Sequence, residues 1–498
     1  MGFSAIDYAV LAVYLLGITL FGIRFRRSQR TVKDYFLGAR NTSWIVIGLS
    51  IVATETSTLT VVGAPALAYS SFARPEQGGN LTYLQVVFGY IIGRIVISLL
   101  LLPAYFKGEI QTAYELLKLR FGESTKNLAA SLFLIMRALA EGVRVFAASL
   151  VLSAVLSSSL PRLPHLWVWS ILIVGLLTLV YTFEGGVAAV IWTDLVQFVI
   201  YVSGSLLAAY QLLRLTPGGW SAIAADAVAA NKFQVFSFST DLTLPFTFWA
   251  GLLGGAFLTM ASHGADQLLV QRLLTCRNKL DSQKALILSG LVVLFQFGLF
   301  LIIGVMLFAY YKAYPLETRL TSNDEIFPTF IVRRLPHGVS GLVIAAIFAA
   351  AMSNLSGSLN SLSSSTMMDL YKPLLNPRVT DERLLRLSRW ATAAWGVALI
   401  LIAFLARNWG SVFTVGLTIA SLVYGPMLGA FLLGVLTKRA TQRGVMAGMA
   451  GSLAAMMAIR FYTQIAWTWY VLIGAAVCLA IGYATSVLSE EHGWIKRD

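Results

Sequence analysis

Apolar runs of about 20 residues, the length that crosses a hydrocarbon core of roughly 30 Å, recur along the whole chain between short polar breaks. Thirteen such runs can be counted, beginning near Ala5, Trp44, Leu81, Leu128, Leu166, Ala188, Phe246, Ala285, Val339, Trp390, Val412, Val445 and Ala466. The pattern predicts an all-α polytopic membrane protein with no separate soluble domain.

Two of the runs are interrupted. The second, from Trp44 to Phe72, contains the polar string Thr54, Glu55, Thr56, Ser57 and Thr58, followed by Gly63 and Pro65. The seventh, from Phe246, contains Gly251, Gly254 and Gly255 and then Ser262, His263, Gly264, Ala265 and Asp266. Interrupted helices at corresponding places in two halves point to inverted repeats whose unwound backbone binds solute and ion near the bilayer midplane. Ordinary Gly and Pro kinks are the competing explanation. A third anomaly is the segment Ala349 to Tyr371, AAAMSNLSGSLNSLSSSTMMDLY, which lies in an apolar run yet is crowded with hydroxyls. Each buried polar group without a partner costs about 1–3 kcal/mol. The cluster therefore faces something that needs oxygen, and a hard cation such as Na+ is the natural candidate. For any single serine, helix-to-helix contact is the alternative.

Composition agrees with the membrane reading. The chain is 57% hydrophobic and 12% charged with a mean hydropathy of +0.75, against roughly 45–50% apolar in soluble domains. Lys and Arg mark the cytoplasmic side. The basic stretches 24–40, 107–126, 272–284, 372–389 and 438–443 share one face if the N-terminus is outside and the C-terminus cytoplasmic. That topology accounts for the net charge of +14, so no nucleic-acid role is assigned. The first run lacks a positive leading region, so it is expected to remain as a helix rather than be cleaved. The two cysteines and four scattered histidines offer no disulfide framework or metal-ligand spacing. No acid, base or metal constellation suggests an enzyme.

Charges inside apolar runs are costly and usually functional or paired. Arg137, Glu141 and Arg144 are spaced to share one helical face. If Glu141 neutralises one arginine, the other keeps a fork suited to a carboxylate, and Arg144 is the deeper of the two. The alternative is that Glu55 serves as the second partner. Asp194, flanked by Ile191, Trp192, Leu195 and Val196, is either functional or bridged to an arginine near the cytoplasmic end.

Several motifs in order carry a resemblance across nearly the whole chain. They are Ala5 to Tyr8 (AIDY), Asp34 to Arg40 (DYFLGAR), Leu49, Ser50 and Ala53, Gly186 to Gln197 (GVAAVIWTDLVQ), Asp266 to Arg272 (DQLLVQR), Met368 to Tyr371 (MDLY) and Tyr424 to Pro426 (YGP). Together they resemble the sodium:solute symporters, the family of proline, sialic acid, glucose, iodide and monocarboxylate carriers. The resemblance implies a LeuT-type five-plus-five inverted-repeat core with one leading and two trailing helices, about 13 in all. The corresponding segments are a leading helix and loop over 1–42, a first repeat over 43–215 and an extracellular loop over 216–245. A second repeat over 246–438 and trailing helices over 439–498 complete the chain.

The same resemblance implies a sodium site made by the carbonyls of Ala53, Thr56 and Ala350, the Ser353 hydroxyl and Asn354, which stands where the family has Ser or Thr. It implies a second ion site at Asp194, Ser353 and Ser356, with Gly357 replacing a further hydroxyl. Solute would meet Glu55, Thr58, Thr60, Arg144, His263, Gln267 and Thr418. His263 and Thr418 depart from the sugar carriers and argue against a pyranose. The expectation is a monomeric, Na+-coupled symporter in the plasma or inner membrane. It would import a small anionic or zwitterionic solute by alternating access; a neutral solute, or proton coupling through Glu55, are the alternatives.

Overall fold

The computed structural model describes residues 3–28, 31–38, 42–108, 110–157, 165–316, 320, 322–407, 409 and 412–491. Ala39 and Arg40 of the second motif lie outside the described residues. Among these residues the secondary structure is helical, apart from one isolated bridge between Thr42 and Cys276. A helix satisfies its own backbone hydrogen bonds, which the bilayer core cannot do.

The main elements are α1 (Ala5–Ile23), α2 (Trp44–Glu55), α3 (Thr58–Tyr69), α4 (Leu84–Leu100), α5 (Glu123–Ser157), α6 (Leu166–Leu215), α7 (Gly255–Gly264) and α8 (Gln267–Leu274). They continue with α9 (Lys279–Ala313), α10 (Val339–Ser365), α11 (Asp381–Ala406), α12 (Val412–Leu436), α13 (Gln442–Tyr462) and α14 (Tyr470–Glu491).

By length and composition, nine helices among the described residues can cross a membrane, or ten if α2 and α3, bent by 64°, count as one span. The sequence count of thirteen differs at three places for identifiable reasons. The 50 residues of α6 run about 75 Å at 1.5 Å per residue, more than two bilayer cores. A kink divides them into two limbs at Gly186, whose φ of 54° and ψ of −155° suit only glycine. Helix α5 carries Arg137, Glu141 and Arg144 and does not count as an apolar span. The segment from Phe246 is divided into a π-helical turn (Ala250–Gly254), α7 and α8.

Helix α10 is the axis of the molecule. In its most apolar window 89% of residues are buried, against 33% for α1, α11, α13 and α14. Its hydroxyls therefore face protein, not lipid. It packs against α6, α1, α5, α11 and α2. Asp7 of α1 accepts hydrogen bonds from Gly338 N (2.7 Å) and Gly341 N (2.8 Å), closing donors at the start of α10 that would otherwise lack partners. Small residues let α4 lie directly on the segment before α7. A Cβ at Gly89 would sit 2.3 Å from the Gly251 carbonyl, and one at Gly255 would sit 2.4 Å from that of Val86, the close backbone approach typical of membrane helix contacts. Lys232, in the connection after α6, donates to the carbonyls of Ala68 (3.1 Å), Tyr69 (3.0 Å) and Ser70 (2.6 Å). Its ammonium caps the end of α3 and lies 4.3 Å from the centre of the Phe308 ring.

Candidate functional site

The site grows from the break between α2 and α3. The ladder of α2 ends where Thr56 N donates to Val52 O, and it restarts where Thr60 N and Val61 N donate to Ser57 O. The carbonyls of Ala53, Thr54, Glu55 and Thr56 thus lose their helical partners, at residues that α10 faces. Asn354 Nδ2 donates to Thr54 O at 2.5 Å, and its Oδ1 accepts from Arg144 Nη1 at 3.4 Å. Ala53, Thr56, Ala350, Ser353 and Asn354 are all buried. Carbonyl, hydroxyl and amide oxygens at a helix break form a donor set that suits a hard monovalent cation.

Below this point Asp194 of α6 is fully buried. It accepts from Ser50 Oγ (2.6 Å), Thr54 Oγ1 (3.1 Å) and Ser353 Oγ (2.5 Å), and it pairs with Arg272 Nη2 at 3.0 Å. Of the two readings of this acid, the bridge to an arginine near the helix end is present. Ser356 Oγ donates to the Ser353 carbonyl at 3.0 Å and does not reach Asp194.

On the other side of the break lies a cleft with about 910 Å³ of empty volume, counting its opening to solvent. Glu55, Thr60 and Arg144 line it, as do Ser57, Thr259, Ser262, Ser421 and Tyr424; Tyr83, Tyr90 and Phe297 form aromatic walls. A smaller adjoining cavity touches Thr58, Glu141, Arg144 and Asn354. The other expected solute residues lie elsewhere. His263 stands behind Glu55, with its Nε2 3.1 Å from Arg94 Nη2 and 3.4 Å from Glu55 Oε2. Gln267 accepts from Ala113 N at 2.7 Å and donates to Ser364 Oγ at 3.3 Å, sealing α8 against its neighbours. Thr418 is half-buried on α12, whose cleft-lining residues are Ala420, Ser421 and Tyr424.

Charges pair differently from either sequence alternative. Glu55 is bound by Arg94, and Arg137 is bound by Asp266 and Tyr424. Glu141 accepts from Ser358 Oγ at 2.9 Å and from Arg144 Nη1 at 3.3 Å. The excess of bases in the set Arg137, Glu141 and Arg144 is therefore met by Asp266, the N-cap of α8, not by leaving a guanidinium uncompensated. Arg144 is nevertheless distinct. Its side chain is 20% exposed, against 0–4% for the other three arginines, and its Nη1 is shared between two long contacts; its Nε, like that of Arg137, has no hydrogen-bond partner among the described residues. Arg94, Arg137 and Arg272 are each buried against their own carboxylate. Sequence reasoning missed Arg94, although a lone charge in the apolar run Leu84–Leu100 is the kind of signal that marks an intramembrane partner.

The sodium:solute symporter family matches residues 35–451. The sodium/sialic acid symporter of Proteus mirabilis is 30% identical over 500 residues, covering 98% of this chain and 96% of its own. The sodium-coupled monocarboxylate transporter 2 of Bos taurus is 29% identical over 90% of this chain and 71% of its own, and the human sodium/iodide cotransporter is 29% identical over 91% and 69%. A solved Na+-coupled sialic acid symporter, substrate-bound and outward-open with a novel Na+ site, superposes with a TM-score of 0.87 at 29% identity, covering 97% of this chain and 98% of its own. A nucleobase-cation-symport-1 transporter in a closed conformation has a TM-score of 0.57 at 12% identity, covering 93% and 96%, and so shares the fold alone.

Proposed function

The chain belongs to the sodium:solute symporter family, and from that premise we propose that it uses sodium entry to import a small organic carboxylate by alternating access. Arg144 carries the reading. It is the arginine that reaches the cleft, and its Nε is buried and unmatched. A carboxylate accepts from a guanidinium fork in the bidentate geometry arginine favours. The aromatic walls and the hydroxyls of Ser57, Thr60, Thr259 and Ser421 suit an organic body with some polar edges. Carriers of sialic acid and monocarboxylates among the relatives support an anion. Glu55 is tied to Arg94 and His263, which favours a fixed counter-ion over a proton carrier.

Asn354 connects ion and solute in this reading. To offer Oδ1 to sodium it must release Thr54 O and withdraw the acceptor that now holds Arg144 Nη1. Sodium binding thereby frees the guanidinium for the solute, and by linkage the solute favours sodium in return.

The architecture goes with it. Counting α6 as two spans about Gly186, and α5 and the broken 246–274 segment as one each, gives thirteen. Residues 43–215 and 246–438 form the two inverted repeats, with 1–42 leading, 216–245 as the extracellular loop and 439–498 trailing. Each repeat opens on a broken helix, at Thr56–Ser57 and at Ala265–Asp266, where half-helix ends meet ions and solutes in such folds. The transport unit is a monomer in the plasma or inner membrane, with its N-terminus outside and its C-terminus cytoplasmic.

The test is a thermal-shift screen of purified protein in Na+ or K+ against sugars, amino acids, monocarboxylates, sialic acid and vitamins, since a ligand of the native state raises its apparent stability. Stabilisation by acids in Na+ alone is expected. Stabilisation by neutral sugars only would overturn the carboxylate reading.

A further inference from the structure

We infer that the solute is an aromatic monocarboxylate, bound with its carboxylate at the helix break and its ring against a wall formed by Tyr83, Tyr90 and Phe297. The inference rests on the carboxylate reading above and narrows it to one class of organic body.

One face of α3 grades the cleft along its length. Ser57, Thr60, Ala64 and Leu67 line it, at steps of three, four and three that keep them on one side of the helix. From Ser57 to Leu67 this face runs about 15 Å at 1.5 Å per residue. It begins in hydroxyls and ends in carbon. Arg144 lies at the hydroxyl end, since it lines the adjoining cavity together with Ser57 and Thr58. A carboxylate held there directs the rest of its molecule toward the apolar end.

The rings stand on that side. Tyr83 is the residue that opens α4, and the chain leading to it is tied to the apolar end of α3, where Gly79 N donates to Leu67 O at 2.9 Å. The Tyr83 ring stacks on Phe297 at 5.2 Å and 29° and meets Phe246 edge-on at 5.3 Å, while Tyr90 meets Phe297 edge-on at 6.4 Å. Each ring is held by another ring, so the wall is formed before solute arrives. Its polar tips offer little. The Tyr83 and Tyr90 hydroxyls lie 3.2 Å apart and use one another, and Ser262 beside them is engaged with His263 Nδ1 at 2.9 Å. Thr259 and Ser421 remain, enough for a polar substituent or two but not for a sugar. A polyhydroxylated acid would leave several of its hydroxyls unanswered here. A flat ring needs no such partners and gains from offset or edge-on contact with the wall.

The experiment is calorimetric titration of the purified full chain in Na+ with matched acids: benzoate and cyclohexanecarboxylate, phenylacetate and cyclohexylacetate, phenylpropionate and cyclohexylpropionate. Sialic acid is the polyhydroxylated comparison. Burial of apolar surface alone favours the saturated ring, the more apolar member of each pair. Ring contacts favour the aromatic member, and in at least one pair it should bind tighter by about 2- to 12-fold. Phe297→Leu keeps an apolar side chain and removes a ring, so that preference should shrink. Equal or tighter binding of the saturated acid in every pair, tightest binding of sialic acid, or a preference untouched by Phe297→Leu would each overturn the inference while leaving the carboxylate reading intact. No binding of any acid would overturn both. If Phe297→Leu fails to fold, the matched pairs on the unaltered chain still decide.

Discussion

Replacing Arg144 with Gln keeps a hydrogen-bonding side chain of similar reach while removing the charge and the fork. The structure says what this leaves behind. Glu141 retains the Ser358 hydroxyl at 2.9 Å and loses only a long 3.3 Å contact to Arg144, and Asn354 loses an equally long one. Glu141 keeps its strong Ser358 partner but loses the charge of Arg144, at a cost of up to about 3–5 kcal/mol, so the thermal midpoint of the variant is measured before titration. A hydrogen bond to a charged group contributes about 1.5–3 kcal/mol. At 1.4 kcal/mol per factor of ten, a carboxylate ligand should bind about 10- to 150-fold more weakly. The amide of the same acid, which carries no charge, should lose at most one ordinary hydrogen bond of about 0.5–1.5 kcal/mol, or about 2- to 12-fold. The assay is calorimetric titration of both proteins, in Na+, with the acid that stabilises the unaltered chain and with its amide. Equal losses for acid and amide would refute the assignment of Arg144 as the carboxylate contact.

The other predictions concern the supports of the site. Arg94→Met leaves Glu55 without its cation and should cost about 3–5 kcal/mol of stability, as for other broken buried pairs; adding Glu55→Gln should recover much of that loss in chemical unfolding in detergent. Additive losses from the two changes would mean that the pair is not coupled. Asn354→Ala removes both the bridge between Thr54 and Arg144 and the amide oxygen proposed for sodium, so the dependence of acid affinity on Na+ concentration should flatten; a dependence as steep as before would separate Asn354 from coupling. Lys232→Met deprives three carbonyls at the end of α3 of their donor and should lower stability by about 1–3 kcal/mol for each group left unsatisfied, read as a fall in thermal midpoint. Cleavage within 216–245 by added protease should accelerate while acid affinity holds. Unchanged proteolysis would show that the lysine does not anchor this segment.

How much of this was legible depended on whether a feature is local. The break at Thr56 was visible because polar residues and a following Pro65 interrupt an apolar run, and the structure bends there by 64°. The hydroxyls of α10 were visible for the same reason. Pairing was not, because partners lie far apart in the chain. Arg137 and Glu141 share a helical face by spacing, yet Arg137 goes to Asp266, 129 positions away, and Glu55 goes to Arg94 on a helix whose charge drew no attention. Periodicity orients a side chain about its own axis and leaves open which helix arrives opposite it. His263, Gln267 and Thr418 show the same limit. His263 and Thr418 lie on helices that line the cleft and Gln267 does not, and a one-residue difference in facing decides that Ser262 meets the cleft while His263 stands behind it.

The distribution of charge explains why a membrane interior can keep four arginines. Each has a carboxylate partner, at Glu55, Asp266, Glu141 and Asp194, so the resting site carries no net charge from these eight groups. Uncompensated charge at that depth would cost several kcal/mol for each group. In the proposed cycle a transported sodium adds one positive charge to this balanced set and a carboxylate solute would remove it, leaving the loaded site neutral. The arginine that gives up a partner on loading must be the one most weakly held. Arg144, held by two contacts at 3.3 and 3.4 Å and partly exposed to the cleft, fits that requirement. Arg272, engaged through all three nitrogens, fits the opposite one and stays in place as the counter-charge of Asp194.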